Sequence, residues 1–216
     1  MKDMNEPARP AATDRAPASG NPARIPASFT DDAEIHAMVA RGDRRAALVA
    51  LMRANGDIVY GHCVRFLRDR VLAQDVCQQI FLEAFRDLAR FRGQSSFRTW
   101  LIGIAGHRCL DALKSNRRRE RRIGGEMDNE TVATVRDPSP QSDERLDQVR
   151  LARALEDCLQ KLPDEVRLAV LMRFQAHMSY EEMSGACSAK AGTLQARVAR
   201  ALPALRRCLD HRGVTP

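Results

Sequence analysis

Three features of this chain predict an all-α protein made of two small helical domains joined by a flexible linker. Ala, Leu and Arg outweigh Val, Ile and Thr, the balance that favours helix over strand. Apolar residues recur at three- and four-residue spacing through most of the text. One stretch, "GEMDNETVATVRDPSPQSDER" at residues 125–145, loses that period, turns acidic and carries Pro138 and Pro140. At 44% hydrophobic and 29% charged, the 216 residues can build ordinary cores on either side of it.

The elements follow in order. Residues 1–29 hold Pro, Ala, Arg and Asp with few large apolar side chains and are expected to form a disordered tail. The first domain, residues 30–122, opens at Asp31 and Glu34, spaced as a capping box. "DRRAALVALMRANGDIVYGHCVRFLRDR" places Leu48, Leu51, Met52, Ile58, Val59, Cys63, Phe66 and Leu67 on helical faces. "VLAQDVCQQIFLEAFRDLARF" buries Val76, Cys77, Ile80, Phe81, Ala84 and Leu88, leaving Gln74, Asp75, Gln78 and Gln79 on a solvent ridge. Next comes "FRGQSSFRTWL", a small polar loop ringed by two Phe and the chain's one Trp. Ser95 or Ser96 is its helix N-cap. The helix that follows buries Leu101, Ile104, Ala105, Cys109 and Ala112, and turns Thr99, Gly103, His107 and Lys114 outward, until it ends at Gly124-Gly125.

Residues 123–145 form the linker, and helical text from Leu146 gives the second domain, residues 146–212. Its expected helices are 146–162, 163 to about 176, 179–187 and 189 to about 209. Ser179 and Glu182 form a capping box, with Met178 and Met183 as its hydrophobic staple. A turn at Ser188-Ala189 leads to a basic helix striped by Leu194, Val198, Ala201, Leu202, Leu205 and Leu209. Short helix, tight turn and basic longer helix make a helix-turn-helix. Lys190, Thr193, Gln195, Arg197 and Arg200 are then free for phosphates and base edges, and Gly192 lets a backbone come close to phosphate.

Charge points the same way. The net charge is +7, but residues 114–122 alone hold six cations against one acid. Residues 126–147 hold seven acids against two Arg, and residues 186–216 hold six cations against one acid. Two basic zones separated by an acidic one suit two nucleic-acid contacts; either run by itself also reads as a solvated helix end. The six cysteines form no CxxC or CxxH, sit at apolar positions and read as small buried hydrophobes. No metal or other cofactor is expected. With no signal-peptide core and no stretch long enough to span a bilayer, the expectation is a cytoplasmic protein with reduced thiols and no membrane insertion. Nothing resembles a phosphate-binding Gly loop, a catalytic carboxylate pair or a nucleophile–base set, so an enzyme is not expected.

Two long stretches together carry a specific likeness. "LAQDVCQQIFLEAFRDLARFRGQSSFRTWLIGIAGHRCLDALKSNRRRERR" resembles the second domain of bacterial sigma-70-type initiation factors of the small extracytoplasmic-function (ECF) group. "ALEDCLQKLPDEVRLAVLMRFQAHMSYEEMSGACSAKAGTLQARVARAL" is similar to their fourth domain. The resemblance implies a dissociable subunit that binds core RNA polymerase at its clamp coiled coil and flap and delivers it to promoter DNA. Asp75, Gln78 and Gln79 match the clamp-docking positions, although relatives more often carry Glu at the last. The loop and the helix after it correspond to the part that reads and melts the −10 element, where a base must leave the stack. Gln94, Ser95 and Ser96 would line the pocket for that base, with Phe97 or Trp100 as its apolar wall. Trp100 and Phe91 also read as core anchors. Arg92, Arg98, Lys114, Arg117 and Arg118 are the phosphate candidates, and the helix beginning near Lys190 would read the −35 element. Many relatives are held by an anti-sigma factor, a possible partner here.

The chain departs from the family pattern where "WLYRIARN" becomes "WLIGIAGH". Gly103, Gly106 and His107 replace basic and Asn positions, which weakens phosphate contact, and each interior Gly costs about 1 kcal/mol of helix stability against Ala. His107 stands where an Asn would face a base. Ser188 replaces a turn Gly, Gln195 replaces a Lys, and Pro203 should kink or stop the last helix. Two rivals stay open: a stand-alone helix-turn-helix regulator, and a sigma-like interaction protein that has lost promoter activity.

Overall fold

The computed structural model describes residues 32–123, 143–187 and 189–214, every regular element of which is helical. Helices α1 (Asp32–Ala40), α2 (Arg44–Leu67), α3 (Arg70–Asp87) and α4 (Phe97–Ile123) come first, with a 3-10 turn at Leu88–Arg90. Helices α5 (Asp143–Gln160), α6 (Asp164–Phe174), α7 (Tyr180–Ala186) and α8 (Ala191–Asp210) follow. The expected tail, the Asp31 half of the first capping box, the Gly124-Gly125 stop, most of the linker and Ser188 lie outside the described residues.

Local chemistry sets the helix ends. Asp43 caps α2 by accepting from Ala46 N at 3.0 Å, and Asp69 caps α3 by accepting from Leu72 N at 2.9 Å. Between them Arg68 turns the chain in the left-handed region, at φ 55°. The box at α7 is complete: Glu182 N donates to Ser179 Oγ at 3.2 Å, and Ser179 N donates to Glu182 Oε2 at 2.8 Å. Met178 and Met183, the expected staple, are both buried.

The first four helices enclose Leu51, Val59, Phe66, Ile80, Phe97, Leu101 and Ile102; α5 to α8 enclose Leu168, Met172, Met183, Leu194, Val198 and Leu205. These two groups merge into one continuous apolar core, because α6 and α7 lie against α2 and α4. The join is polar at its edges. Arg68 pairs with Asp157 at 2.6 Å, Gln160 Nε2 donates to the Arg65 carbonyl at 3.2 Å, and the buried Arg167 guanidinium lies 4.5 Å from the Phe66 ring centre.

Several expectations need correction. Thr99 and Gly103 do not face solvent: both are buried, because α7 covers that side of α4. Met52 and Leu202, placed in apolar stripes, are 45% and 46% exposed. Each lies next to a residue that takes the buried position in its place, Leu51 and Ala201. Pro203 does not stop α8, which runs on to Asp210. It sits on the exposed side, so water can satisfy the carbonyl one turn back, on exposed Ala199. Helix α5 starts three residues before Leu146, at Asp143.

The thiols also differ from expectation. Cys158 and Cys208 form a disulfide joining α5 to α8, their Cα atoms 5.9 Å apart and so within bridging range. Fifty residues separate them in sequence, too far for local spacing to reveal the pair. Cys63, Cys77, Cys109 and Cys187 are free. Cys109 donates to Cys63 across a buried 3.7 Å contact, and this hydrogen bond, with burial, pushes its thiol far above the ordinary range.

A candidate nucleic-acid interface

The polar loop at 91–96 stands on a fixed aromatic base. Phe97 is fully buried, its ring centre 4.5 Å from that of Phe91 and 4.7 Å from that of His36. Trp100 stacks beside Phe91 at 4.9 Å. Phe97 is therefore an anchor beneath the loop rather than an exposed wall; Phe91 and Trp100 are half-buried against the same core. Gly93 makes the turn at φ +68°, with the His36 ring directly beneath it. His36, unremarked in the sequence, supports the loop from α1.

Ser96 caps α4: its Oγ accepts from Thr99 N at 3.1 Å. Asp32, from α1, accepts from Phe97 N at 3.1 Å and so takes up another free donor of the same helix start. One loop serine is thereby committed to structure, while Arg92 and Gln94 point into solvent and Ser95 is half-exposed. Arg98 is half-buried, and its Nε has no hydrogen-bond partner. It lines a cleft of about 550 Å³ with Arg65, Arg68 and Arg70.

Beyond the covered face, α4 emerges as a cationic rod. Lys114, Arg117, Arg118, Arg119, Arg121 and Arg122 are all exposed. Cations at a helix C-terminus suit the macrodipole. Arg117 is not idle: it makes two hydrogen bonds to Asp164 at 2.7 and 3.0 Å, which hold its guanidinium above the ordinary range. His107 is exposed at the rim of the covered face, its Nε2 3.2 Å from the Ala186 carbonyl.

In the second half, α8 begins at Ala191 with Lys190 before it and no side-chain cap. Thr193 N already donates to the Lys190 carbonyl at 2.9 Å, and the uncapped N-terminal end of the helix suits an anion. Lys190, Gly192, Thr193, Gln195 and Arg200 are exposed; Arg197 is half-buried and paired with Glu165 at 2.6 Å. Asp75, Gln78 and Gln79 are exposed on α3. Across the molecule most of the predicted residues thus fall into three exposed sets, the α3 ridge, the loop with the α4 rod, and the start of α8, while Arg98 and Arg197 are half-buried.

The fold and these surfaces match known proteins. Residues 51–119 match the Sigma-70 region 2 family, and residues 152–205 match Sigma-70, region 4. The chain is 31% identical over 190 residues to the RNA polymerase sigma-H factor of Pseudomonas aeruginosa, covering 83% of this chain and 94% of that one. It is 29% identical over 173 residues to the ECF RNA polymerase sigma factor SigK of Mycobacterium tuberculosis, covering 78% and 89%. Among solved structures it resembles the sigma factor RpoE in complex with the anti-sigma factor NepR from Bartonella quintana. There the TM-score is 0.57 at 20% identity, over 78% of this chain and 97% of that one.

Proposed function

The chain belongs to the ECF group of sigma-70 factors, non-enzymatic subunits that direct RNA polymerase to promoters, and we propose that it does so through the three exposed sets just described. Both matched regions fall inside the proposed domains, 30–122 and 146–212. The α3 ridge of Asp75, Gln78 and Gln79 docks on the clamp coiled coil of core polymerase. The second domain meets the flap. Gln94 and Ser95 receive a base of the −10 element, Ser96 holds the loop in place for them, and Arg92 and Arg98 take adjacent phosphates. Lys114, Arg117 and Arg118 hold the duplex alongside, and His107 lies at the edge of the same surface. At the other end the side chains of Lys190, Thr193, Gln195, Arg197 and Arg200 read the −35 element, with the backbone at Gly192 against phosphate.

The observation that carries this reading is the loop itself. A polar rim on a buried aromatic base, continuous with a basic helix, offers a stacking-compatible pocket edge beside a phosphate track. We propose that the protein acts in the cytoplasm with the polymerase, and that an anti-sigma factor is a further partner, as NepR is in the RpoE complex. Among the described residues no helix is long and apolar enough to cross a membrane.

Run-off transcription with purified core polymerase and a promoter fragment tests the assignment. Promoter-dependent transcripts should need both core and this protein, and Gln94→Ala with Arg92→Ala should reduce them at least tenfold while core binding persists. Tight operator binding by the protein alone, without such transcripts, would favour the stand-alone regulator.

A further inference from the structure

The two helix-interior glycines that depart from the family pattern lie on the covered face of α4, and each faces the second domain at close range. A Cβ built on Gly103 would stand 2.9 Å from the Ala186 Cβ and 3.3 Å from its Cα. One built on Gly106 would stand 2.9 Å from Met172 Cε and 3.2 Å from a Leu168 methyl. The first collision involves backbone and a side chain with no freedom to turn away. Around these two positions lie directed contacts on the same side of α4. Thr99 Oγ1 lies 3.4 Å from Glu182 Oε1, His107 meets the Ala186 carbonyl, and Arg117 clasps Asp164. A helix interior gains nothing locally from glycine. Close approach by α6 and α7 gives both glycines a physical reason.

We propose that the face of α4 bearing Thr99, Gly103, Gly106 and His107 is a docking seat for α6 and α7 of the same chain, and that the free protein rests in this closed form with that face withheld from promoter DNA. The withholding rests on the reading of α4 as part of the −10 surface; the seat itself does not. Two effects combine in it. The seat hides the middle of α4, and Asp164 occupies Arg117, a cation offered above to phosphate. Opening would free both at once. Two positions that are basic in the family pattern are here glycines, small enough to admit another helix, so these substitutions exchange direct phosphate contact for control over access.

Small-angle scattering of the full chain, paired with binding of a single-stranded −10 oligonucleotide, tests the proposal. Gly103→Leu should enlarge the radius of gyration by roughly a fifth, as two separate bodies replace one. Its oligonucleotide affinity should rise about tenfold, because a closed majority dilutes the competent form. Gly103→Ala should open the chain less, and adding Ala186→Gly to it should restore the wild-type profile. That rescue, together with unchanged helical circular dichroism, separates opening from misfolding. An already extended wild type, or a Gly103→Leu profile identical to it, would overturn the seat. Opening without any gain in oligonucleotide affinity would overturn the withholding and the −10 assignment of this face, with the seat left standing.

Discussion

His62 makes the fold sensitive to acid. It is fully buried on α2, its ring nitrogens make no full hydrogen bond, and Gln175 only partly favours the charged form. Burial therefore lowers its pKa from 6.5 to about 4. Between those values the unfolded chain binds a proton that the folded chain refuses. Stability is then complete above pH 6.5 and falls as pH drops toward 4, by up to about 1.4 kcal/mol per pH unit and about 3 kcal/mol in all. Urea unfolding across this window should show that slope, and His62→Gln should flatten it; an equal slope in both would place the acid sensitivity elsewhere. Nothing in the sequence distinguishes this histidine from an exposed one. Its burial depends on α6 arriving from more than a hundred residues away. Ser179 and Glu182, by contrast, were legible because a capping box closes within four residues.

At the scale of elements, the disulfide ties the first helix of the second domain to its last. Closing a loop of 50 residues removes unfolded-state entropy worth about 4 kcal/mol in the chain-entropy account. A reductant should lower the thermal midpoint of the wild type, whereas the Cys158→Ser, Cys208→Ser double variant should not respond to it. Equal midpoints for the wild type with and without reductant would show that the bridge contributes nothing. Helix existence and type were readable throughout, since apolar period and caps are local. Faces were less so. The outer ridge of α4 read as solvent-facing because Thr, Gly and His are weakly apolar, and only a tertiary partner covers Thr99 and Gly103 while leaving His107 at the rim. Pro203 misled for the converse reason: an exposed carbonyl one turn back can be hydrated, so the helix tolerates what its sequence seems to forbid.

The whole chain is basic, with dense runs of cations on the rod of α4 and along residues 186–216. Binding to a promoter fragment should therefore weaken steeply with salt, log K falling linearly with log salt concentration. Lys114→Gln and Arg118→Gln should each reduce that slope by about one if they contact phosphate, and leave sequence preference unchanged. A slope equal to that of the wild type would return both residues to a solvated role. The family itself was legible from long motifs. The relation between the two domains was not, because it is set by the contacts of Arg68, Arg117, Arg167 and Gly103 across the chain. One last property follows from the aromatic base of the loop. The chain's single Trp stands there, half-buried against Phe91, and the two tyrosines lie elsewhere, on α2 and α7. Its intrinsic fluorescence is thus a built-in optical probe of one small neighbourhood, able to register a nucleotide arriving at the loop with no label attached.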